Sequence, residues 1–160
     1  RQGKVYLGGV EYRELDLVAW RQWIGWVPQE EFLIEGSLVE NVVMGRPGFD
    51  RDSVIECWRD LGFKMPDDSE FWVQTLKSEG HGLSGGELRK LLIARAFLPR
   101  PPILILDEPE TFQDQLGKES LRATLSRVSN QHTVVMISHH SVLGFEPSKE
   151  LNLGALGQDA

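Results

Sequence analysis

The most constraining feature of the sequence is the apolar run Ile103–Leu106, which two carboxylates and a proline follow directly. The run is too short for a helix, and aliphatic residues bounded by prolines and acids predict a strand that is buried on both faces. Thr133–Ile137 is a second run of this kind, and an amphipathic helical segment lies between the two. Strand, helix and strand in this order predict a βαβ unit with parallel strands and a right-handed crossover.

Apolar periodicity and capping residues predict further elements along the chain. Ser37 and Glu40 have the spacing of a capping box just before an apolar segment. Glycine and proline end most of the periodic segments, as expected at turns and helix ends. Strands are predicted for Lys4–Leu7 and Ile24–Val27, helices for Leu17–Gln22, Leu38–Met44, residues 51–61 and residues 85–98, and a loop-rich stretch for residues 64–82.

Composition limits the classes of protein to which the chain can belong. It has 160 residues, 41% of them hydrophobic and 26% charged, which is typical of one globular domain. The net charge of −7 disfavours a general nucleic-acid binder, since such proteins usually carry basic patches. The single cysteine, Cys57, excludes an intrachain disulfide, and no apolar run approaches the roughly 20 residues that span a bilayer.

Asp107 and Glu108 follow directly after the first predicted buried strand. In open α/β sheets, ligands bind at the carboxyl ends of the strands, which favours a functional role for this pair. A Mg²⁺ ion that bridges substrate phosphates needs only one or two protein carboxylates, so Asp107 is predicted as the metal ligand. Glu108 is predicted to orient or deprotonate an attacking water. The alternative is a solvated acidic strand end without a catalytic role.

Three further motifs carry a weaker signal when each is taken alone. Leu83-Ser84-Gly85-Gly86-Glu87 fits both an anion site at a helix N-terminus and a plain capping box. His139 follows the second predicted buried strand, where it is either a phosphate contact or a structural histidine. Gln29 follows the strand Ile24–Val27, and its amide oxygen is of the kind that coordinates Mg²⁺ or an attacking water.

In this order along the chain, the motifs resemble those of the nucleotide-binding domain of ATP-binding cassette (ABC) proteins. Residues 26–29 resemble the Q-loop, residues 83–87 the signature motif, and residues 103–109 the Walker B strand with its catalytic glutamate. Asp114 stands at the position of the D-loop aspartate, and His139 at that of the switch histidine. Between the motifs, residues 21–25 and 35–42 resemble exporter-type domains around the Q-loop, and residues 93–96 resemble the helix after the signature.

The resemblance implies a fold, partner domains and a cellular location. The implied fold is α/β, a partial P-loop NTPase (RecA-like) domain with a parallel sheet core at about residues 1–29 and 99–160. An inserted α-helical subdomain is implied at about residues 30–98. The implied partners are a second nucleotide-binding domain and the transmembrane domain of a transporter, on the cytoplasmic side of a membrane. No direct contact with nucleic acid is expected.

The resemblance also implies ATP and Mg²⁺ as ligands and a role for each motif. Asp107 and Gln29 are expected at the metal ion, Glu108 as the general base and His139 at the terminal phosphate. Two domains would pair head to tail, so that the signature motif of one contacts the ATP held by the other. Asp114 is expected to contact the partner domain across this interface.

The sequence departs from the family at one motif, because the Walker A pattern Gly-x-x-x-x-Gly-Lys-[Ser/Thr] does not occur in it. The resemblance places Gly3 shortly after the Walker A helix, so the chain is expected to match the C-terminal two-thirds of the domain and to be inactive alone. Thr133–Ile137 is then expected to be a sheet edge, paired in parallel with Ile103–Leu106. Asp107, Glu108 and His139 should converge at one end of the sheet.

Two alternatives to the transporter interpretation stay open. The signature ends in Glu87, where transporters usually have glutamine, and a glutamate there is common in chromosome-maintenance and DNA-repair ATPases of the ABC superfamily. Those proteins separate the Q-loop from the signature by a long coiled coil, whereas Gln29 and Ser84 are 84 − 29 = 55 positions apart without sustained heptads. The second alternative is a degenerate, non-catalytic interaction module.

Overall fold

The computed structural model describes residues 3–4, 6–30, 32–66, 69–77, 83–111, 114–138 and 148–150. The strands within them are β1 (Tyr6–Leu7), β2 (Val10–Glu11), β3 (Ile24–Val27), β4 (Gly36–Ser37), β5 (Thr75–Leu76), β6 (Ile103–Asp107) and β7 (Thr133–Ile137). The helices are α1 (Leu17–Gln22), α2 (Leu38–Val43), α3 (Arg51–Asp60), α4 (Gly85–Phe97) and α5 (Gln115–Val128). The predicted α/β architecture is confirmed.

Each α-helix begins at a side chain that accepts hydrogen bonds from the backbone of the first turn. The N-caps are Asp16, Ser37, Asp50, Ser84 and Asp114. The caps at Ser37, Asp50 and Ser84 are reciprocal capping boxes, in which the third helical residue also binds back. An N-cap of this kind contributes about 1 kcal/mol, so the local sequence determines where these helices begin.

The central sheet has the strand order β3-β6-β7, and both pairings are parallel. Leu106 lies opposite Val27 on one side and Met136 on the other, so the carboxyl ends of the three strands are aligned. The helix α5 connects β6 to β7, which confirms the predicted βαβ unit. Among the described residues β7 pairs with β6 alone, and this parallel pairing is the one predicted. The position of β7 at a sheet edge stays a prediction.

One face of this sheet packs against the helices and forms the core. Val27, Leu104 and Leu106 are fully buried on that face. Gly25 of β3 is required there, because a Cβ atom at this position would lie 2.4 Å from the carbonyl oxygen of Ala96 in α4. The close approach of α4 to β3 fixes the signature helix relative to the strand that leads to Gln29.

The opposite face of the sheet is only partly buried among the described residues. Trp26, Ile105 and Val135 lie side by side in register across this face. Trp26 is 60% exposed and Val135 is 43% exposed. The prediction that Ile103–Leu106 and Thr133–Ile137 are buried on both faces is therefore wrong for this face, where Ile105 is half-buried and Val135 is exposed, because full burial needs a second layer of packing on the sheet.

A cluster of aromatic rings lies around α3 and belongs to the same hydrophobic core. The ring of Trp58 in α3 contacts Phe63, Phe71 and Trp72 edge-on, with centroids 5.0, 6.1 and 5.3 Å apart. Phe71 and Trp72 belong to a short 3-10 turn within the stretch predicted to be loop-rich. The strands β2, β4 and β5 were missed, since a strand of two residues shows no alternation of apolar and polar positions.

Candidate functional site

The loops after β3 and β6 meet at the carboxyl end of the sheet. The side-chain Nε2 of Gln29 donates a hydrogen bond to Oε2 of Glu108 over 2.8 Å. The hydroxyl of Thr111 donates to the same oxygen over 3.2 Å. Two residues that the sequence separates by 79 positions are therefore brought into direct contact at the edge where a parallel sheet binds its ligands.

Glu108 has a backbone conformation that is rare for a residue with a side chain. Its φ angle of 43° lies in the left-handed region. Its N–H donates to the carbonyl of Ile137 over 2.9 Å, and the N–H of Thr111 donates to the carbonyl of Glu108 over 3.1 Å. Non-glycine residues in this region persist where the surroundings hold them and are concentrated at functional sites. The conformation turns the chain sharply at the end of β6.

Asp107 ends β6, half-buried and paired in register with Ile137 of β7. The described residues contain no group of three or more histidine, cysteine, aspartate or glutamate side chains that could hold a metal ion. A cage made only of protein ligands is therefore absent from the described part of the chain. A single carboxylate such as Asp107 suits Mg²⁺, which takes one or two carboxylates and completes its shell with water and substrate phosphates.

Gln29 is exposed, and its amide nitrogen faces Glu108. The contact leaves the role of Gln29 as a metal ligand a prediction. The loop that carries it is joined to α4 by the buried Arg89, whose Nη1 donates to the carbonyl of Pro28 over 3.4 Å. Arg89 therefore links the signature helix to the residue directly before Gln29.

The chain beyond Gln29 is held by a partly buried polar network. Arg95 of α4 donates to the carbonyl oxygens of Phe32 and Asn41 over 2.7 and 2.8 Å. Asn41 is fully buried, and its Oδ1 accepts the N–H of Ile34 over 2.9 Å. Burial lowers the pKa of Arg95 to about 10, which still leaves the guanidinium charged at neutral pH. The network ties the segment after Gln29 to α2 and α4.

The signature motif forms the start of α4. The hydroxyl of Ser84 accepts the N–H of Glu87 over 3.3 Å and donates to the Glu87 carboxylate over 2.7 Å, so the predicted capping box is confirmed. Gly85 and Gly86 follow in the first turn, with Leu83 just before the cap. Whether this helix end also takes a phosphate stays a prediction.

A surface cleft of about 360 Å³ joins the signature motif to the D-loop position. Ser84 and Gly86 line one side, and Asp114 and Gly117 at the start of α5 line the other. Asp114 is the N-cap of α5, where its Oδ1 accepts the N–H of Gly117 over 2.7 Å. The sequence motifs 83–87 and 114 are thus neighbours in space.

His139 lies outside the described residues, and its predicted convergence with Asp107 and Glu108 stays a prediction. The residue before it, Ser138, is described, and its hydroxyl donates to Oε1 of Glu110.

Glu110 is a buried residue that the sequence did not single out, because an acid just after Asp107, Glu108 and a proline is indistinguishable from a solvated loop residue. Arg89 was missed for a similar reason, since a basic residue on a helix normally faces solvent.

Comparison with known proteins shows the family to which the chain belongs. The model of the family described as "ABC transporter" matches residues 1–111. The "ABC multidrug transporter E" of Aspergillus fumigatus is 35% identical over 149 residues, which cover 86% of this chain and 12% of that protein. The "Transport/processing ATP-binding protein ComA" of Streptococcus pneumoniae is 30% identical over 92% of this chain and 21% of its own length.

A third relative is the "Glutathione/L-cysteine transport system ATP-binding/permease protein CydC" of Escherichia coli, 32% identical over 87% of this chain and 24% of that protein. The chain thus spans about a quarter or less of the length of these relatives. A bacterial Atm1-family ABC exporter solved with ATP bound has the same fold, with a TM-score of 0.74 and 24% identity over 87% of this chain and 25% of that one. Among the described residues, no helix is both long enough and apolar enough to cross a membrane.

Proposed function

Because the chain belongs to the ABC transporter family, we propose that it forms part of the ATP-binding and ATP-hydrolysing domain of a membrane transporter. Domains of this family bind ATP and Mg²⁺. Each of the three relatives named above is, by its name, a transport protein, which supports transport over the chromosome-maintenance alternative. The chain would work at the cytoplasmic side of a membrane.

The observation that carries the proposal is the contact between Gln29 and Glu108 at the end of the parallel sheet. It joins two motifs that the family uses around the terminal phosphate, and it holds a carboxylate in one orientation. A general base must be positioned within hydrogen-bond reach of the proton that it takes. We assign Glu108 this role towards the water that attacks the terminal phosphate of ATP.

Other residues near Glu108 would bind the metal ion and the phosphates. Asp107 would hold Mg²⁺, with Gln29 as a second ligand, and the bound ion would neutralise charge on the phosphate oxygens. His139 would donate a hydrogen bond to the terminal phosphate. Phosphoryl transfer needs mainly positioning and charge stabilisation, so these contacts account for most of what the protein must supply.

The nucleotide site would be completed by a second domain. Ser84 and Gly86 lie at the start of α4, where backbone N–H groups and the helix dipole favour an anion, but no lysine of a Walker A loop is present in the sequence. In the proposed head-to-tail dimer, residues 83–87 contact the ATP that the partner holds, and Asp114 contacts the partner. The region at about residues 30–98 would form the helical subdomain that meets a transmembrane domain.

The proposal is tested with a chimera that places this sequence after the Walker A segment of the Escherichia coli relative. We expect Mg²⁺-dependent ATP hydrolysis, which Asp107→Asn abolishes and the exposed control Asp52→Asn on α3 leaves intact. A chimera that folds and binds ATP but shows no hydrolysis that depends on Asp107 would contradict the proposal.

A further inference from the structure

Glu110 is a buried carboxylate two residues after Glu108. It is 8% exposed, and its Oε1 accepts a hydrogen bond from the hydroxyl of Ser138, the residue directly after β7. The two residues are 28 positions apart, so the bond is a tertiary contact and not part of a local turn. It joins the loop after β6 to the end of the neighbouring strand.

The burial of Glu110 needs an explanation. Glutamate is rarely buried this far unless it has a partner, because desolvation disfavours its charged form. Its second oxygen, Oε2, is buried and has no hydrogen-bond partner in the part of the chain that the structure describes. A residue that served only to fill the loop would be apolar or small. The hydroxyl of Ser138 supplies the hydrogen bond that such a buried carboxyl needs.

The loop that Glu110 fastens is the one that sets the direction of Glu108. Glu108 has its left-handed φ of 43°, and its N–H is bonded to Ile137, the last residue of β7. The Glu110–Ser138 bond attaches the same loop to Ser138, which directly follows Ile137 at the end of β7. A backbone in this conformation relaxes to a commoner one unless several contacts hold it. The two attachments to β7 act on both sides of Pro109.

We propose that Glu110 is a positioning residue, which through its hydrogen bond from Ser138 fastens the loop of residues 108–111 to β7 and so holds the Glu108 carboxylate against Gln29. Glu110 does not touch the reacting atoms and acts through Glu108. The importance of this role rests on the proposed function, in which Glu108 is the base. Ser138 directly precedes His139, the residue predicted to contact the terminal phosphate. The Glu110–Ser138 bond therefore fixes the residue from which the chain continues to His139.

The test uses the full 160-residue chain and two NMR signals that report on the loop. The first is the pair of Gln29 side-chain N–H signals, which the bond to Glu108 shifts away from the positions of a solvated glutamine. The second is the exchange rate of the Glu108 backbone amide with solvent. We expect Glu110→Ala and Ser138→Ala to move the Gln29 signals to the solvated positions and to speed the exchange by about fivefold to tenfold, the effect of losing one hydrogen bond.

Conservative and remote variants separate positioning from general stability. Glu110→Gln keeps an oxygen that accepts from Ser138, so it should retain both signals. Glu119→Ala and Ser126→Ala, at exposed positions of α5, should leave them unchanged. If Glu110→Ala fails to fold, Ser138→Ala alone decides the result, because it removes the donor and leaves the carboxyl in place.

The proposal is overturned if folded Glu110→Ala or Ser138→Ala keeps the Gln29 signals of the wild type. It is also overturned if Glu110→Gln loses them as completely as Glu110→Ala, since the hydrogen bond would then not be the cause. Neither readout depends on ATP, so an inactive chimera would refute the proposed function without bearing on this contact. Conversely, an active chimera would support the proposed function even if Glu110 proved dispensable for holding the loop.

Discussion

The side-chain nitrogen of Gln29 lies 2.8 Å from Oε2 of Glu108, and this hydrogen bond joins the first and second strands of the parallel sheet beyond their carboxyl ends. The oxygen also accepts from the hydroxyl of Thr111, so the orientation of the carboxylate is set by a residue of its own loop and by a distant one. Movement of the loop after β3 must therefore move or release the proposed base.

Substitution of Gln29 by glutamate should disturb this contact through charge. The new carboxylate would lie beside that of Glu108, and each negative charge disfavours ionisation of the other. The acid limb of the pH–rate profile, where the base becomes protonated, should therefore move to higher pH by about one unit. The measurement is the pH dependence of ATP hydrolysis by the Gln29→Glu chimera, with Gln22→Glu on the exposed side of α1 as the control. An unchanged profile would show that Gln29 and Glu108 do not interact during hydrolysis.

The isolated 160-residue chain should hydrolyse no ATP above background. The sequence contains no Walker A loop, whose backbone N–H groups and lysine hold the phosphates, and no other motif replaces those contacts. Release of phosphate from Mg²⁺-ATP by the purified chain measures this directly. Turnover that Glu108→Gln abolishes would mean that the chain holds the nucleotide in another way.

Ser84 should act on the ATP of the partner domain. Ser84→Arg removes the cap of α4 and fills the space in front of it, so a chimera carrying it should lose ATP hydrolysis, whereas Ser126→Arg at an exposed position of α5 should not. Mixing the Ser84→Arg chimera with a Glu108→Gln chimera should restore activity, because one of the two sites in the mixed dimer then has both residues intact.

The matched control for this mixture is a chimera that carries both substitutions, mixed with the unsubstituted one. In a head-to-tail dimer of that composition, each site lacks one of the two residues, and no activity beyond that of the remaining unsubstituted dimers is expected. If Ser84 and Glu108 instead served the same ATP within one domain, the first mixture would stay inactive while the control mixture kept the activity of its unsubstituted domains, and that result would contradict the assignment.

Cys57 should be chemically inert in the folded chain. Burial raises the pKa of its thiol from 9.0 to about 12, and the thiolate is the reactive form. A group whose pKa is raised on folding contributes stability that is present below its unfolded pKa and lost as the pH rises towards its folded pKa. Between pH 9 and 10, the free energy of unfolding should fall by about 1 kcal/mol for this reason.

Urea unfolding at pH 8 and pH 10, with Cys57→Ala as the comparison, measures the contribution of Cys57. The alanine variant should be less stable at pH 8, because the buried volume is lost, but it should lose less stability between the two pH values. Rapid alkylation of Cys57 by iodoacetamide at pH 8, without urea, would contradict its burial.

The main elements were predictable because their signals are local. Ser37 and Ser84 cap the helices that follow them, and Ile103 to Asp107 form the strand that the apolar run indicates. Asp107 and Glu108 could be singled out because they come directly after that strand. For these residues, the spacing of neighbouring side chains was sufficient.

The rest depends on contacts between distant parts of the chain. Nothing near Gln29 in the sequence indicates that it contacts Glu108, and nothing near Glu110 indicates that it is buried against Ser138. The exposure of Val135 was missed for the opposite reason, since the apolar character of a strand indicates burial but not whether a second layer is present. Tertiary packing decides these features.

The most direct test of the central claim is the rate of ATP hydrolysis by the chimera with Glu108→Gln. The amide keeps the shape of the side chain but cannot take a proton, so we expect a loss of about a hundredfold or more with ATP binding unchanged. The exposed control Glu119→Gln on α5 should retain full activity. A Glu108→Gln chimera that hydrolyses ATP at the unsubstituted rate would contradict the assignment of Glu108 as the base.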